Sequence, residues 1–267
     1  MRHAYFLLLI AGSLFLTNTS RAYSPMRQVT YGGEKWSLAD IFPEGPNRDL
    51  AAAAASGDRR GIDHALKAGA TVNFRGTHNL TPLWWASWDQ NLGGFKRLLE
   101  LGADPNVVPE KNRPVMHNIA EALWPVTFLR VALAHRGDPN LADTGGRTAL
   151  LCALMQGKPE HVDLLLTAGA SVNRQPGSTV SGPVFGAAMA RRYDYVFKLL
   201  EMGADPREQD RSGRDLAAYI GMFPYNPNSE HYEWRERVIR FLRKQGIEAQ
   251  PPKNEGTRTK ALPRDLR

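Results

Sequence analysis

Apolar positions along this chain fall into short blocks of helical spacing, divided by glycine-containing turns, and the blocks recur. In GFKRLLEL, Phe95, Leu98 and Leu99 stand at i, i+3 and i+4, which places them on one face of a helix. Gly102 follows, suited to the left-handed backbone that ends a helix, and Ala103-Asp104-Pro105-Asn106 predicts a tight turn. The phrase LLELGADPN is echoed by ALKAGATVN, ALAHRGDPN, LLTAGASVN and LLEMGADPR, which end at Asn73, Asn140, Asn173 and Arg207. Successive phrase ends from Asn73 to Arg207 lie 33, 34, 33 and 34 residues apart. So regular a period predicts a stack of supersecondary units, none of which buries its apolar face alone.

The opening of a unit is clearest at Thr81-Pro82-Leu83. The Thr81 hydroxyl suits a helix cap, and Pro82 suits the first helical position, where no amide donor is needed. The helix WWASWDQ follows, Asn91-Leu92-Gly93 breaks it, and GFKRLLEL returns, so each unit reads as helix, turn, helix and hairpin. These residues resemble the ankyrin repeat family, with its Gly-x-Thr-Pro-Leu-His, Ala-Ala, Leu-Leu and Gly-Ala-Asp-x-Asn pattern, over roughly residues 49 to 221. Copies depart from the pattern. Trp84 replaces the family His, Pro114-Val115-Met116-His117 keeps His without Thr, Thr148-Ala149-Leu150-Leu151 keeps Thr, and Gly182-Pro183-Val184-Phe185 keeps only Pro.

The resemblance implies an all-α ankyrin-repeat solenoid, with helix–turn–helix–hairpin units stacked into a curved array. DLAAAAASGDRRGIDHALKAG resembles an N-terminal capping unit, and DRSGRDLAAYIGM the start of a C-terminal one. In HYEWRERVIRFLRKQG, Trp234, Val238, Phe241 and Leu242 share one stripe, which predicts a closing helix over 231–246. The expected organisation is a signal peptide at 1–22, an extended segment at 23–46, the repeat domain with its caps at 47–246, and a basic, disordered tail at 247–267. The 23–46 segment carries Tyr31, Trp36, Leu38, Ile41 and Phe42 and is expected to fold back over the first cap. A free strand offered to a partner is the alternative.

Composition sharpens the setting. Arg2 and His3 precede an apolar run from Phe6 to Leu16, and Ser20-Arg21-Ala22 has the small-x-small form of a cleavage site. The run is shorter than the roughly 20 residues a spanning helix needs, so export with a mature start at Tyr23 is expected rather than an uncleaved anchor. Cys152, the one cysteine, lies in TALLCALM and reads as a small buried hydrophobe, so the core must stabilise the fold without a disulfide. Net charge is +7, and residues 250 to 267 hold five Lys or Arg against two acids. That tail reads as solvated, with weak contact to an anionic membrane surface as the alternative. Nucleic acid is not expected as a partner, since no matching motif accompanies the charge.

No metal-ligand, nucleophile-elbow or phosphate-loop pattern is present, so no catalytic residue, cofactor or metal is expected, and the chain reads as a non-enzyme. What the family offers is a concave surface of hairpin tips and first-helix ends, and the partner is expected to be a protein. Counting along each copy puts Trp88, Asp89, Glu121, Met155, Gln156 and Met189 on it, with Leu80, Arg113 and Arg147 from the hairpins. Trp, Met and Arg are enriched at interface cores. The phrases SLADIFPEG, TPLWWA, GFKRLLELGADPN and PVMH resemble bacterial periplasmic ankyrin proteins, some of them immunity proteins against lipase or phospholipase effectors of type VI secretion. That resemblance implies a periplasmic protein that sterically blocks a toxic effector. An envelope-associated scaffold held at an anionic membrane by the basic tail is the other reading.

Overall fold

The computed structural model describes residues 28–31, 34–110, 113–121, 124–210, 212–221 and 230–248. The expected signal peptide at 1–22 lies outside the described residues, as does the expected tail at 247–267 from residue 249 onward. Six helix pairs follow one another. They are α2 (Pro46–Ser56) with α3 (Arg59–Lys67), α4 (Pro82–Trp88) with α5 (Leu92–Glu100), and α6 (Val115–Ala120) with α7 (Val126–Ala134). Then come α8 (Ala149–Met155) with α9 (Pro159–Thr167), α10 (Pro183–Met189) with α11 (Tyr193–Glu201), and α12 (Leu216–Ile220) with α13 (Glu230–Lys244). The first helix of each pair packs on the first helices of its neighbours, forming an inner row, and the second helices lie outside. This is the all-α solenoid that the repeat implied.

Local chemistry explains where the inner helices begin. Thr81 Oγ1 accepts the Trp84 amide at 3.2 Å, Thr148 Oγ1 that of Leu151 at 3.4 Å, and Asp215 Oδ1 that of Ala218 at 2.8 Å. Pro114 and Gly182 stand in the same place without a side-chain cap. At Gly182 the backbone amide donates instead to Glu208 Oε1, at 2.7 Å, from the next hairpin. The Trp84 that replaced the family His keeps its function. Its indole Nε1–H donates to the Arg113 carbonyl at 3.2 Å, and one unit later His117 Nε2 meets the Arg147 carbonyl at 2.6 Å. A carbonyl only accepts, so Nε2 of His117 carries the proton.

The recurring asparagine that ends each phrase is a clip between units. Asn73, Asn106, Asn140 and Asn173 each accept the backbone amide of the next turn through Oδ1 and donate to a carbonyl there through Nδ2. Asn47 begins the series by accepting the Thr71 amide at 2.8 Å. Where a fifth copy has Arg207, the guanidinium donates to the Gln245 carbonyl at 2.9 Å and ties the last turn to the end of α13. Asn106→Ala removes the bonds to Asp138 N (2.7 Å) and Arg136 O (2.8 Å). It is expected to cost about 1–3 kcal/mol in urea unfolding, from two ordinary hydrogen bonds.

Two glycines are required by geometry. Gly102 sits at φ +89° where α5 hands over to the turn, and a Cβ at Gly94 would stand 1.8 Å from the Ala54 carbonyl oxygen, so α5 approaches α2 through backbone. At the far end, Val238 and Leu242 of α13 are fully buried, and Trp234 and Phe241 both pack on Phe197 of α11, at 6.0 and 6.1 Å between ring centroids. At the near end, the described part of residues 23–46 is not extended throughout. β1 (Gln28–Tyr31) pairs antiparallel with β2 (Glu34–Ser37), and α1 (Leu38–Ile41) follows at once. Ser37 starts that helix with a reciprocal capping pair to Asp40. Leu38, Ile41 and Phe42 are then buried on the first unit, Phe42 meets Phe74, and Trp36 meets His78 edge-on at 5.1 Å.

Candidate partner-binding face

Trp88, Glu121, Met155 and Met189 each lie seven residues after the capping position of their inner helix, at Thr81, Pro114, Thr148 and Gly182. Inner helices pack side by side, and Trp88, Met155 and Met189 are the last residues of α4, α8 and α10, so these positions form a row, while Glu121 follows α6 with extended backbone. Met155 is 45% exposed and Met189 52%, and with Met202 they are the exposed large hydrophobic side chains among the described residues. Gln156, next to Met155, is exposed as well. Large apolar side chains left in water at the same place in adjacent repeats mark a surface with a use, since isolated packing defects would not recur in register.

Trp88 is divided between core and surface. One ring face stacks on Trp84, 5.7 Å between centroids and 8° from parallel, and Trp124 tilts against it at 6.2 Å. Trp124 is itself fixed by its indole N–H, which donates to the Ser87 carbonyl at 2.7 Å. Trp88 and Asp89 are half-buried. Arg113 contacts Glu121, and Arg147 Nε lies 4.0 Å from Asp143 Oδ2. Leu80 does not belong to the surface. It is 1% exposed, its carbonyl accepts the Gly76 amide at 2.9 Å, and that turn directs the side chain into the core.

Under the charged pairs lie two buried groups that titrate. Burial holds His117 below its usual range, outweighing the Arg147 carbonyl bond that favours protonation. Burial also pushes the Cys152 thiol up to about 11, so it stays protonated and packs as a core residue. The histidine has a consequence for stability. The folded chain takes up a proton at His117 less readily than the unfolded chain, whose value is near 6.5. Stability is therefore full above that pH and is lost as pH falls from there toward the lower folded value. Thermal melting between pH 8 and pH 5 should show this decline, and His117→Gln should flatten it.

Asp143 and Trp124 were missed in the sequence, although both hold members of the row in place. The signal for Asp143 was its place four residues before Arg147 across Gly145-Gly146, where it accepts the Gly145 and Arg147 amides at 2.9 Å each. Nothing local marked Trp124, since its partners lie on another unit. Among the described residues, no group of three His, Cys, Asp or Glu is placed to hold a metal, and no helix is long and apolar enough to cross a membrane.

The stack of helix pairs is an all-α ankyrin-type solenoid. The ankyrin repeat family model matches residues 145–175, the unit built from α8 and α9. Among curated relatives, Protein PhlB of Serratia liquefaciens is 36% identical over 125 residues, 46% of this chain and 54% of that protein. The putative palmitoyltransferase ZDHHC13 of Danio rerio is 29% identical over 184 residues, 67% of this chain and 28% of that protein. Palmitoyltransferase AKR1 of Lachancea kluyveri is 30% identical over 161 residues, 59% of this chain and 22% of that protein. The chain thus spans about half the length of the first and about a quarter of the other two. These relatives correct the expectation of a non-enzyme: two of the three are named as palmitoyltransferases, so kinship points toward enzymes rather than away from them. Motif absence was a poor basis for that expectation, because a repeat array is shared by enzymes and binding proteins alike.

Proposed function

We propose that this protein-binding module is exported to the periplasm and acts there as an immunity protein, covering the catalytic entrance of a toxic lipase-type effector with its inner face. The observation that carries the binding reading is the row itself, in which Met155 and Met189 stand exposed in register with the half-buried Trp88. Flexible thioethers beside an anchored aromatic adapt to a partner surface at low cost. Its setting rests on the leader-like residues 1–22, and the effector class rests on the resemblance of SLADIFPEG and TPLWWA to periplasmic ankyrin proteins. Similarity to a bacterial protein, PhlB, is consistent with that setting.

The test is inhibition. A lipase-type effector from the same genome, assayed with the purified full chain, should lose activity at stoichiometric concentration. Met155→Asp/Met189→Asp should weaken the complex by about 2 kcal/mol or more, roughly thirtyfold, with an unchanged melting temperature. A chain recovered only from the cytoplasm, or effectors untouched by excess protein, would sink the reading.

A further inference from the structure

The sulfur side chains of this protein are sorted by exposure. Among the described residues, Met116 and Cys152 are buried, whereas Met155, Met189 and Met202 stand in water. Met1, Met26 and Met222 lie outside the described residues. Met116 packs against the turn that follows α7, where a Cβ placed at Gly137 would lie 2.8 Å from its sulfur. Cys152 keeps its proton, since burial pushes its thiol up to about 11, and a protonated, buried thiol is a poor nucleophile. A thioether has no proton to lose, so its reaction with an oxidant is governed by access rather than ionisation. Met155 and Met189 close α8 and α10, inner helices that pack on each other, and they are the exposed apolar members of the row. Met202 follows α11, an outer helix, and so lies off the row.

We propose, resting on the binding reading above, that Met155 and Met189 are modification sites, where a peroxide forms methionine sulfoxide and so releases the partner while the array stays folded. The sulfur lone pair attacks one peroxide oxygen. An S–O bond forms as the O–O bond breaks, and sulfur gives up two electrons. The proton of the transferred oxygen passes to the second oxygen, which leaves as water or an alcohol. The product replaces a flexible apolar tip with a polar S=O group. In the free protein water satisfies that oxygen, so folding loses nothing. Against an apolar partner surface it is buried without a donor, which lowers affinity by about tenfold or more. The exported setting proposed above is an oxidising one. Reduction by methionine sulfoxide reductases, with two electrons from a thiol and loss of the oxygen as water, reverses the change. Leucine at either place would offer a similar apolar surface with no sulfur to oxidise.

The test treats the folded full-length chain with hydrogen peroxide. Peptide mass spectrometry should find one added oxygen on Met155, Met189 and Met202 well before Met116, with an unchanged melting temperature. Two probes read binding. One is inhibition of a lipase-type effector. The other is fluorescence anisotropy of a peptide selected from a phage-displayed library on the untreated chain and weakened by Met155→Asp/Met189→Asp. Treatment should weaken both by about tenfold or more, and methionine sulfoxide reductases should restore them. Met155→Leu/Met189→Leu should keep its binding through treatment, whereas Met202→Leu should remain as sensitive as the unaltered chain. Met116 oxidised as fast as Met155 and Met189, a loss on treatment that persists in the double leucine variant, or no binding to the row by either probe would overturn the proposal. A peptide released on oxidation from a chain that never inhibits the effector overturns the immunity reading alone. Inhibition that survives oxidation of both methionines overturns this inference alone.

Discussion

Trp84→Ala is expected to cost about 3–5 kcal/mol of unfolding free energy, the range for deleting a large buried aromatic. Three losses coincide. The side chain is 1% exposed, so its removal leaves a cavity in a stack that has little room to collapse. Its indole N–H no longer satisfies the Arg113 carbonyl of the next unit. The ring beneath Trp88 disappears, which loosens the anchored end of the partner face. Trp84→His should recover the hydrogen bond, as His117 makes it one unit later, while leaving part of the cavity. Urea unfolding of the three proteins separates the contributions: a Trp84→His protein no more stable than Trp84→Ala would show that the inter-unit bond contributes nothing.

Leu242→Ala should cost about 2–5 kcal/mol, and its effect should be uneven along the chain. Leu242 is fully buried where α13 closes the stack against α11. A repeat array is held by contacts between neighbours only, so damage at one end first releases the terminal unit. Hydrogen exchange should therefore show α12 and α13 losing protection while α4 to α9 keep theirs. Uniform loss along the array would mean that the closing helix is coupled to every unit and is more than an end cap.

Much of the architecture was legible before any coordinates, for a physical reason. Ankyrin contacts are short in sequence, so each unit writes its own signals locally: the Thr81-Pro82 start, the Phe95, Leu98 and Leu99 stripe, the Gly102 stop. Repetition at 33 or 34 residues then reports each signal several times over. The partner face was legible only as positions. Counting along each copy put Trp88, Glu121, Met155 and Met189 on the expected surface, but counting does not say which way a side chain turns.

That division runs through the whole protein. Sequence alone determined the helical units, their period, the closing helix and the residues in register, because these follow from local backbone preference and apolar spacing. Tertiary structure decided what the registered residues do. Leu80 turned inward because its turn closes on Gly76, and Trp88 became half-buried because Trp84 lies under it and Trp124 comes from the next unit. Arg113 and Glu121 found each other across the length of α6, a pairing that only the fold makes. The recurring asparagine was visible as a letter, but its function as a clip depends on two backbone groups about thirty residues away that only stacking brings within reach.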